Sequence, residues 1–363
     1  MEKIHLILTP SEKACEIFVG VDLLDFLAKN LKEKPLGNRL GIITDTKVEC
    51  IIGGRLQRHL IDSDLKTDMI AIRPGEGFKR WETAESIFEW MADLGFDRKS
   101  ALLALGGGVV GDLTGFVASL YMRSIPYAQI PTTLLAQVDS SLGGKTAIDL
   151  GRKKNLIGTF DQPERVYMDL SLLNTLPQGE IENGLAEVIK SAIIRDRPFF
   201  EFLEDHHDAV SSGDRDILEK MVSRCCRIKS AVVMEDEKER GLRQILNFGH
   251  TVGHAVESYT DYSVPHGRAV SMGISVETTL SHRMKLLSAE EKERILLLLD
   301  HFGLPTRIPN DYDREELVGL MHSDKKAEEG RIAMILPTAI GTVLVRRSIP
   351  PSLIESALEE VTE

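Results

Sequence analysis

Residues 101–120, ALLALGGGVVGDLTGFVASL, contain the pattern that decides the fold. The apolar run at residues 101–105 predicts a buried strand, and Gly106, Gly108 and Gly111 follow it in a G-x-G-x-x-G spacing before a helix-like segment. Missing side chains let the backbone approach a pyrophosphate, and a helix N-terminus offers free N–H groups and a partial positive charge. The segment therefore predicts a dinucleotide-binding turn, with a tight turn that binds no ligand as the alternative.

Two features depart from the usual dinucleotide fingerprint. The motif does not lie in the first βα unit, and Gln129 stands where an acid is expected about 20 residues on. Asp45, directly after a predicted strand, and residues 74–79 (PGEGFK), after the next one, could contact the rest of such a cofactor. Ordinary polar turns are the alternative for both segments.

The pattern around this turn predicts an α/β N-terminal dinucleotide-binding domain followed by a mostly α-helical C-terminal domain. Helical periodicity separates several of the predicted strands, and it dominates from residue 180 to about residue 302. A hairpin is predicted at residues 331–336 and 342–346, joined through residues 337–341. We place the domains at residues 1–175 and 176–363. The predicted strands of the first domain are residues 4–8, 17–19, 40–43, 69–72, 101–105, 127–130 and 166–168.

The composition limits the classes of partner. The formal net charge is −12, which disfavours general binding to nucleic acid or to an anionic membrane. No apolar run approaches the ~20 residues of a membrane span, and the N-terminal residues lack the pattern of a signal peptide. The four cysteines have no CxxC spacing, which favours reduced thiols. We therefore expect a cytoplasmic protein.

A candidate metal site lies in the second half of the chain. His250 and His254 are four residues apart, so on a helix both project from one face, and His266 follows twelve residues later. Glu187 is an acid inside an apolar helical stretch, where an unpaired carboxylate would be costly. Spacing alone favours His250, His254 and His266 as ligands, with Glu187 as a further possibility; a histidine bonded to backbone in the core is the alternative for each.

Basic residues cluster despite the acidic composition. Residues 139–146 (DSSLGGKT) and 153–158 (KKNLIG) frame what we expect to be a glycine- and cation-rich loop. Lys190 lies three residues after Glu187 on the same helix face, among apolar neighbours. A phosphorylated or carboxylated substrate would supply the missing counter-charge. Lys325 and Lys326 alone would be interpreted as a solvated surface.

These segments, in this order, resemble the 3-dehydroquinate synthase family of sugar phosphate cyclases over nearly the whole chain. The family has an NAD-binding α/β domain and a mostly helical domain with the metal and substrate groups, and its members are typically homodimers. The matching segments are residues 106–116 (GGGVVGDLTGF), 122–163 (MRSIPYAQIPTTLLAQVDSSLGGKTAIDLGRKKNLIGTFDQP), 184–190 (GLAEVIK), 240–257 (RGLRQILNFGHTVGHAVE), 266–270 (HGRAV) and 323–326 (SDKK).

The resemblance implies a role for individual residues. The metal, generally zinc with cobalt often accepted, would be bound by Glu187, His250 and His266, which makes His254 a substrate-side residue. Arg123 would reach into the neighbouring subunit's site. NAD would be bound by Asp45, Glu76, Lys79, Gly107, Gly108, Val109, Val110, Gly111, Asp112, Thr132, Thr133, Lys145, Lys154 and Thr175. Substrate contacts would be Asp139, Lys145, Asn155, Lys190, Lys229, Arg243, Asn247, His254 and Lys325.

The reaction implied is the conversion of 3-deoxy-D-arabino-heptulosonate 7-phosphate to 3-dehydroquinate and phosphate, with NAD reduced and reoxidised in one cycle. Asp149 stands where asparagine is frequent in the family, and Arg268 where glutamate is frequent. Three alternatives remain open at this point. They are another sugar phosphate cyclase that makes an inosose or a valiolone, a metal-dependent NAD alcohol dehydrogenase of the glycerol dehydrogenase type, and a nucleotide-binding regulatory protein without catalytic activity.

Overall fold

A computed structural model describes residues 14–151, 153–323 and 332–362. The strands of the first half of the chain are β1 (Glu16–Gly20), β2 (Leu40–Asp45), β3 (Thr67–Ile72), β4 (Ala101–Gly106), β5 (Tyr127–Pro131), β6 (Lys145–Leu150), β7 (Lys153–Phe160) and β8 (Arg165–Asp169). Six of them form a parallel sheet in the order β3-β2-β4-β5-β8-β1. A separate antiparallel hairpin, β6–β7, follows β5 in the chain.

Helices cover both faces of this sheet, which explains why its strands are nearly continuous apolar runs. Along β4, Leu102 and Ala104 pack into the core on one face, whereas Leu103 and Leu105 pack into the core on the other. The helices of this half are α1 (Leu24–Glu33), α2 (Thr46–Val48, a single turn), α3 (Gly54–Asp62), α4 (Trp81–Asp93) and α5 (Gly108–Leu120). Helices α4 and α5 cover the first face, and α1 and α3 cover the second.

The strand order reverses between β2 and β4. The chain leaves β2 toward β3 on one side and then crosses to β4 on the other side. In a doubly wound sheet, this reversal opens a crevice at the carboxyl ends of the two strands, where ligands bind. Asp45 ends β2 and Gly107 follows β4, so two of the predicted cofactor residues lie at this crevice.

The second half of the chain is mostly helical and shares a core with the first. Val166 and Met168 of β8 pack in the same cluster as Leu185 and Ile189, which lie on the first helix of this half. The two halves are therefore joined by apolar packing as well as by the chain. The elements of this half are α6 (Gln178–Arg195), α7 (Arg197–Ser211), α8 (Arg215–Glu235), α9 (His250–Tyr259), α10 (His266–Arg283), α11 (Ala289–His301), α12 (Arg314–Ser323), β9 (Ala333–Ala339), β10 (Thr342–Arg347) and α13 (Pro351–Val361).

The predicted fold class is confirmed, as are six of the predicted strands; the seventh, residues 4–8, lies outside the described residues. The C-terminal hairpin is also confirmed, although β9 continues through Pro337 to Ala339 and the turn is correspondingly shorter. The expectation of a loop between residues 139 and 158 is wrong over most of its length, because β6 and β7 pair there. The domain boundary near residue 175 stays a prediction. No helix in the described ranges has the length and apolar character needed to cross a bilayer.

Candidate metal centre and active site

Three closely packed helices bring the candidate metal ligands together. Glu187 lies within α6, His250 is the first residue of α9, and His266 is the first residue of α10. Glycines permit the close approach of these helices. A methyl group at Gly273 of α10 would overlap the carbonyl oxygen of Gly249, which precedes α9. Helix packing in this region therefore depends on residues with no side chain.

The ligand atoms of the three residues converge on one point. The Oε1 atom of Glu187 lies 3.2 Å from Nε2 of His250 and 3.3 Å from Nε2 of His266. All three ligand atoms lie within 4.8 Å of one another. Ligands about 2.1 Å from a tetrahedral ion lie about 3.4 Å apart, so the two carboxylate–imidazole separations fit Zn²⁺ or Co²⁺. His254 is not in this set, although its ring centroid lies 5.4 Å from that of His250.

Contacts behind the imidazoles orient them toward the same point. Nδ1 of His250 lies 3.1 Å from the carbonyl oxygen of Phe248, and Nδ1 of His266 lies 3.4 Å from Oε2 of Glu257. A proton on each Nδ1 leaves each Nε2 available to a metal. Glu257 was not predicted from the sequence. A signal was present, because His250, His254 and Glu257 are spaced i, i+4 and i+7 and so lie along one helix face.

The electrostatic environment favours positive charge at this point. Burial raises the pKa of the Glu187 carboxyl, but Lys190 and His250 outweigh burial and hold that pKa well below its usual range. Burial lowers the pKa of the His266 imidazole, but hydrogen bonds to Glu187 and Glu257 outweigh it and raise the pKa to about 10. Two buried carboxylates thus stabilise a cation here, whether it is a proton or a metal ion.

Buried cations surround a second carboxylate beside the metal ligands. Lys190 pairs with Glu187, and its Nζ lies 3.9 Å from Oδ1 of Asp139. The Nζ of Lys229, on α8, lies 2.6 Å from the same oxygen. Lys190 and Lys229 are buried, with 2% and 7% of their surface exposed. These predicted substrate residues therefore form one ionic network with the metal ligands.

The pKa directions show which of these charges are well compensated. Burial lowers the pKa of the Lys190 ammonium, but Glu187 and Asp139 outweigh it and the pKa is raised. Burial also lowers the pKa of Lys229, and there Asp139 does not outweigh it, so the pKa stays below its usual value. An additional anion, such as a substrate group, would therefore stabilise the charged form of Lys229 more than that of Lys190.

Further predicted substrate residues converge on Glu239. Its carboxylate forms an ion pair with Lys145 and accepts a hydrogen bond of 2.6 Å from Nδ2 of Asn247. Nearby, the buried Arg243 donates to the carbonyl oxygen of Gly143 at 3.0 Å. Glu239 was not predicted, and nothing in the sequence distinguishes it from the acids beside it. Its contacts show that Lys145 and Asn247 can hold one carboxylate between them.

A third cluster lies on the side of the predicted cofactor. Lys79 is almost fully buried, and its Nζ lies 2.6 Å from Oδ2 of Asp112 and donates to Oδ1 of Asn155. Glu76 lies 3.8 Å from the same Nζ. Burial lowers the pKa of Lys79, but Asp112 and Glu76 outweigh it and raise the pKa. Asp149 accepts a hydrogen bond of 2.8 Å from the backbone N–H of Asn155, so this departure from the family pattern supports the cluster.

The glycine turn places the N-terminus of α5 directly after β4. Gly107 immediately precedes α5, whose first turn includes Gly108 and Gly111. A Cβ at Gly111 would lie 2.7 Å from Oε1 of Gln129 on β5, so this glycine allows the helix to pack against the sheet. Gln129 therefore has a packing role where the fingerprint would place an acid. Asp45 accepts hydrogen bonds from the N–H groups of residues 47 and 48.

The other predicted residues are distributed around these clusters. Arg123 is exposed beyond the end of α5, in a left-handed conformation with φ of 71°. Arg268 pairs with Glu182 at 3.3 Å, so its charge is directed at a carboxylate that is not a candidate ligand. Lys325 lies outside the described residues. The remaining predicted cofactor residues are Val109 and Val110 in the first turn of α5, Thr132 and Thr133 after β5, Lys154 on β7, and Thr175 before α6.

Comparison with known proteins identifies relatives of both halves of the chain. Residues 69–183 match the 3-dehydroquinate synthase N-terminal family, and residues 184–327 match the 3-dehydroquinate synthase C-terminal family. A 3-dehydroquinate synthase from Thermodesulfovibrio yellowstonii is 43% identical over 361 residues, covering 99% of this chain and all of the relative.

Solved structures agree with this match. A 2-epi-5-epi-valiolone synthase from Streptomyces hygroscopicus with NAD⁺ and Zn²⁺ bound has a TM-score of 0.90 at 27% identity, covering 98% of this chain and 99% of that one. A 2-deoxy-scyllo-inosose synthase complexed with carbaglucose-6-phosphate, NAD⁺ and Co²⁺ has a TM-score of 0.86 at 26% identity, covering 95% and 96%.

The fold and the site together define a class: a doubly wound nucleotide-binding domain joined to a helical domain with a Glu-His-His metal centre among buried cations. Within that class, the chain belongs to the 3-dehydroquinate synthase family.

Proposed function

We propose that this protein converts 3-deoxy-D-arabino-heptulosonate 7-phosphate into 3-dehydroquinate and phosphate, using NAD and Zn²⁺ or Co²⁺. The observation that carries the proposal is the convergence of Glu187, His250 and His266 beside buried lysines, in a chain that aligns end to end with 3-dehydroquinate synthases. A metal centre suits chemistry at a hydroxyl or carbonyl, and buried cations suit an anionic substrate.

The chain's residues would divide into three groups around the substrate. Glu187, His250 and His266 would bind the metal, and the crevice after β2 and β4 would bind NAD. When bound, the metal supplies Lewis-acid polarisation of a substrate oxygen, and NAD supplies reversible hydride acceptance. The predicted cofactor contacts are those of the glycine turn and the Lys79 cluster, with Asp45, Thr132, Thr133, Lys154 and Thr175.

Lysine and arginine side chains, with one amide, would bind the substrate's two anionic groups. We assign Lys145, Asn155, Lys190 and Arg123 to the phosphate and Arg243 to the carboxylate. The buried Lys190, whose position is fixed by Glu187 and Asp139, would stabilise negative charge that develops as phosphate leaves, with little reorganisation during the reaction. Holding both ends of a flexible chain also favours the ring-closing geometry. Asp139, Lys229, Asn247, His254 and Lys325 complete the proposed substrate contacts.

An assay of phosphate release tests the function directly. With NAD and Zn²⁺ present, we expect stoichiometric phosphate from the heptulosonate phosphate and none above background from glucose 6-phosphate or sedoheptulose 7-phosphate. We also expect no accumulation of NADH absorbance in steady state, because the hydride returns to the product. Release from either other sugar phosphate would indicate an inosose or valiolone synthase, and stoichiometric NADH would indicate a simple dehydrogenase.

A homodimer is part of the proposal, through a face formed by the end of α5 and the β6–β7 hairpin. The hydroxyl of Thr159 donates to that of Ser119 at 2.9 Å, which places the end of β7 beside the end of α5. Large apolar side chains are exposed around this contact, and a second subunit there would cover them. Arg123 follows α5 directly and could then reach the partner's site. The exposed side chains are Leu120, Met122, Leu156, Ile157 and Phe160.

Phe160→Glu is expected to convert a dimer of the chain into a monomer and to lower turnover, because Arg123 would no longer reach a neighbouring site. Light scattering coupled to gel filtration measures the mass. Met234→Glu is the matched control, since Met234 is 81% exposed and lies on α8 outside this face. A wild-type monomer, or a Phe160→Glu variant that remains a fully active dimer, would contradict this arrangement.

A further inference from the structure

Glu257 lies between a candidate metal ligand and the hairpin of the nucleotide-binding half. Its Oε2 atom is 3.4 Å from Nδ1 of His266, on the side of the imidazole away from Glu187. Its Oε1 atom is 3.3 Å from the Nζ of Lys154 on β7. Only 5% of the Glu257 surface is exposed, so the carboxylate is held in a buried position by groups from two different parts of the fold.

Lys154 is itself held from the helical half of the chain. Its Nζ lies 4.0 Å from the centroid of the Tyr262 ring, in the segment that joins α9 to α10. A cation over an aromatic face is attracted by the ring quadrupole, and this attraction is stronger where water is partly excluded. The ammonium group therefore contacts the end of α9 and the following segment at the same time, and the hairpin cannot move away without breaking both contacts.

We infer that Glu257 is a positioning residue that orients His266 for the metal and fixes this ligand to the β6–β7 hairpin through Lys154. The inference rests on the proposed metal site. It assigns a function to a residue outside the ligand set and to the contact between the two halves of the chain. Lys154 then acts on the metal centre through Glu257, in addition to its proposed contact with NAD.

The physical reason is the two-ended attachment of the carboxylate. A carboxylate that accepts a hydrogen bond from the outer nitrogen of a metal-bound imidazole fixes the tautomer and the ring orientation. One such bond leaves the carboxylate free to rotate about its own side-chain torsions. A second bond at the other oxygen, from Lys154, removes that freedom and compensates a buried negative charge that would otherwise be costly.

Glu257→Gln tests the role with metal affinity as the measured quantity. Glutamine has the shape of glutamate but no charge, so the packing is preserved while the hydrogen bond to His266 weakens. Competition with a chromophoric chelator, without substrate or NAD, gives the Zn²⁺ dissociation constant. We expect it to rise roughly 10- to 100-fold, the usual range for losing such an outer partner. Glu182→Gln is the matched control, because Glu182 pairs with Arg268 and contacts no ligand imidazole; its constant should stay within about twofold of wild type.

Lys154→Met tests the second attachment. Lys154 is partly exposed on the hairpin, so this variant is expected to fold. We expect a Zn²⁺ constant between those of wild type and Glu257→Gln, and no additional weakening when both substitutions are combined, since Lys154 acts through Glu257.

The outcomes separate this inference from the proposals on which it rests. The inference would be overturned, with the metal site left intact, if Glu257→Gln bound zinc with wild-type affinity. It would also be overturned if adding Lys154→Met to Glu257→Gln raised the Zn²⁺ dissociation constant by the same factor as Lys154→Met alone. A wild-type chain that binds no zinc would overturn the metal site and the inference together. Failure of the phosphate-release assay alone would affect neither, because the titrations contain no substrate.

Discussion

Replacing Glu187 with glutamine is expected to abolish turnover and zinc binding while nucleotide binding survives. Glu187 is the one carboxylate shared by His250 and His266, and it is 1% exposed, so no other described carboxylate can take its position without moving a helix. Loss of a Lewis acid costs several kcal/mol of transition-state stabilisation. Turnover should therefore fall by at least about a thousandfold.

Metal analysis and calorimetric titration with NAD check the two halves of this prediction separately. The NAD dissociation constant should change little, because the proposed cofactor crevice is formed by the ends of β2 and β4 and not by α6. Glu182→Gln, a substitution of the same kind on the same helix, should retain metal and activity. A Glu187→Gln chain that binds one zinc ion and turns over normally would rule out the ligand assignment.

Lys190→Met is expected to destabilise the chain by roughly 3–5 kcal/mol as well as to abolish turnover, as is usual when one partner of a buried ionic network is removed. Lys190 pairs with Glu187 and lies 3.9 Å from Asp139, with 2% of its surface exposed. Methionine fills a similar volume but leaves the buried Glu187 carboxylate without its ammonium partner and the half-buried Asp139 with Lys229 as its remaining lysine partner. Zinc should restore part of the lost stability, because a metal ion on Glu187 replaces the missing cation.

Urea unfolding with and without zinc measures this effect. The shift of the midpoint by zinc should be larger in Lys190→Met than in wild type. The control is Lys29→Met, which removes an exposed ion pair with Glu33 on α1 and should change stability by less than about 1 kcal/mol. A Lys190→Met chain with wild-type stability would show that Glu187 and Asp139 are not held as charged carboxylates.

The sequence was sufficient to predict the parallel sheet. Strands buried on both faces are continuous apolar runs, as in residues 101–105, and such runs are recognisable without a structure. The β6–β7 hairpin was missed because this signal is absent there. Most of β7 is exposed, and its lysines and glycine resemble a loop, whereas its pairing depends on close cross-strand contact at Gly158.

The site was predictable in composition but not in geometry. The i, i+4 spacing of His250 and His254 indicates a shared helix face, yet it cannot determine which ring nitrogens meet a third residue from another helix. That depends on the close packing of α6, α9 and α10. Glu239 was missed because its partners Asn247 and Lys145 lie 8 and 94 residues away in the chain, and no local pattern reports such contacts. For Glu257, the helix face that it shares with His250 and His254 was a signal, but its contacts with His266 and Lys154 depend on tertiary packing.

Diffraction at the zinc absorption edge, from crystals grown with NAD and zinc, tests the metal assignment most directly. We predict a single strong anomalous peak within about 2.0–2.2 Å of a Glu187 carboxylate oxygen and the Nε2 atoms of His250 and His266, with the nicotinamide ring beside it. An anomalous peak on other side chains, or a nicotinamide bound away from these three residues, would contradict the account.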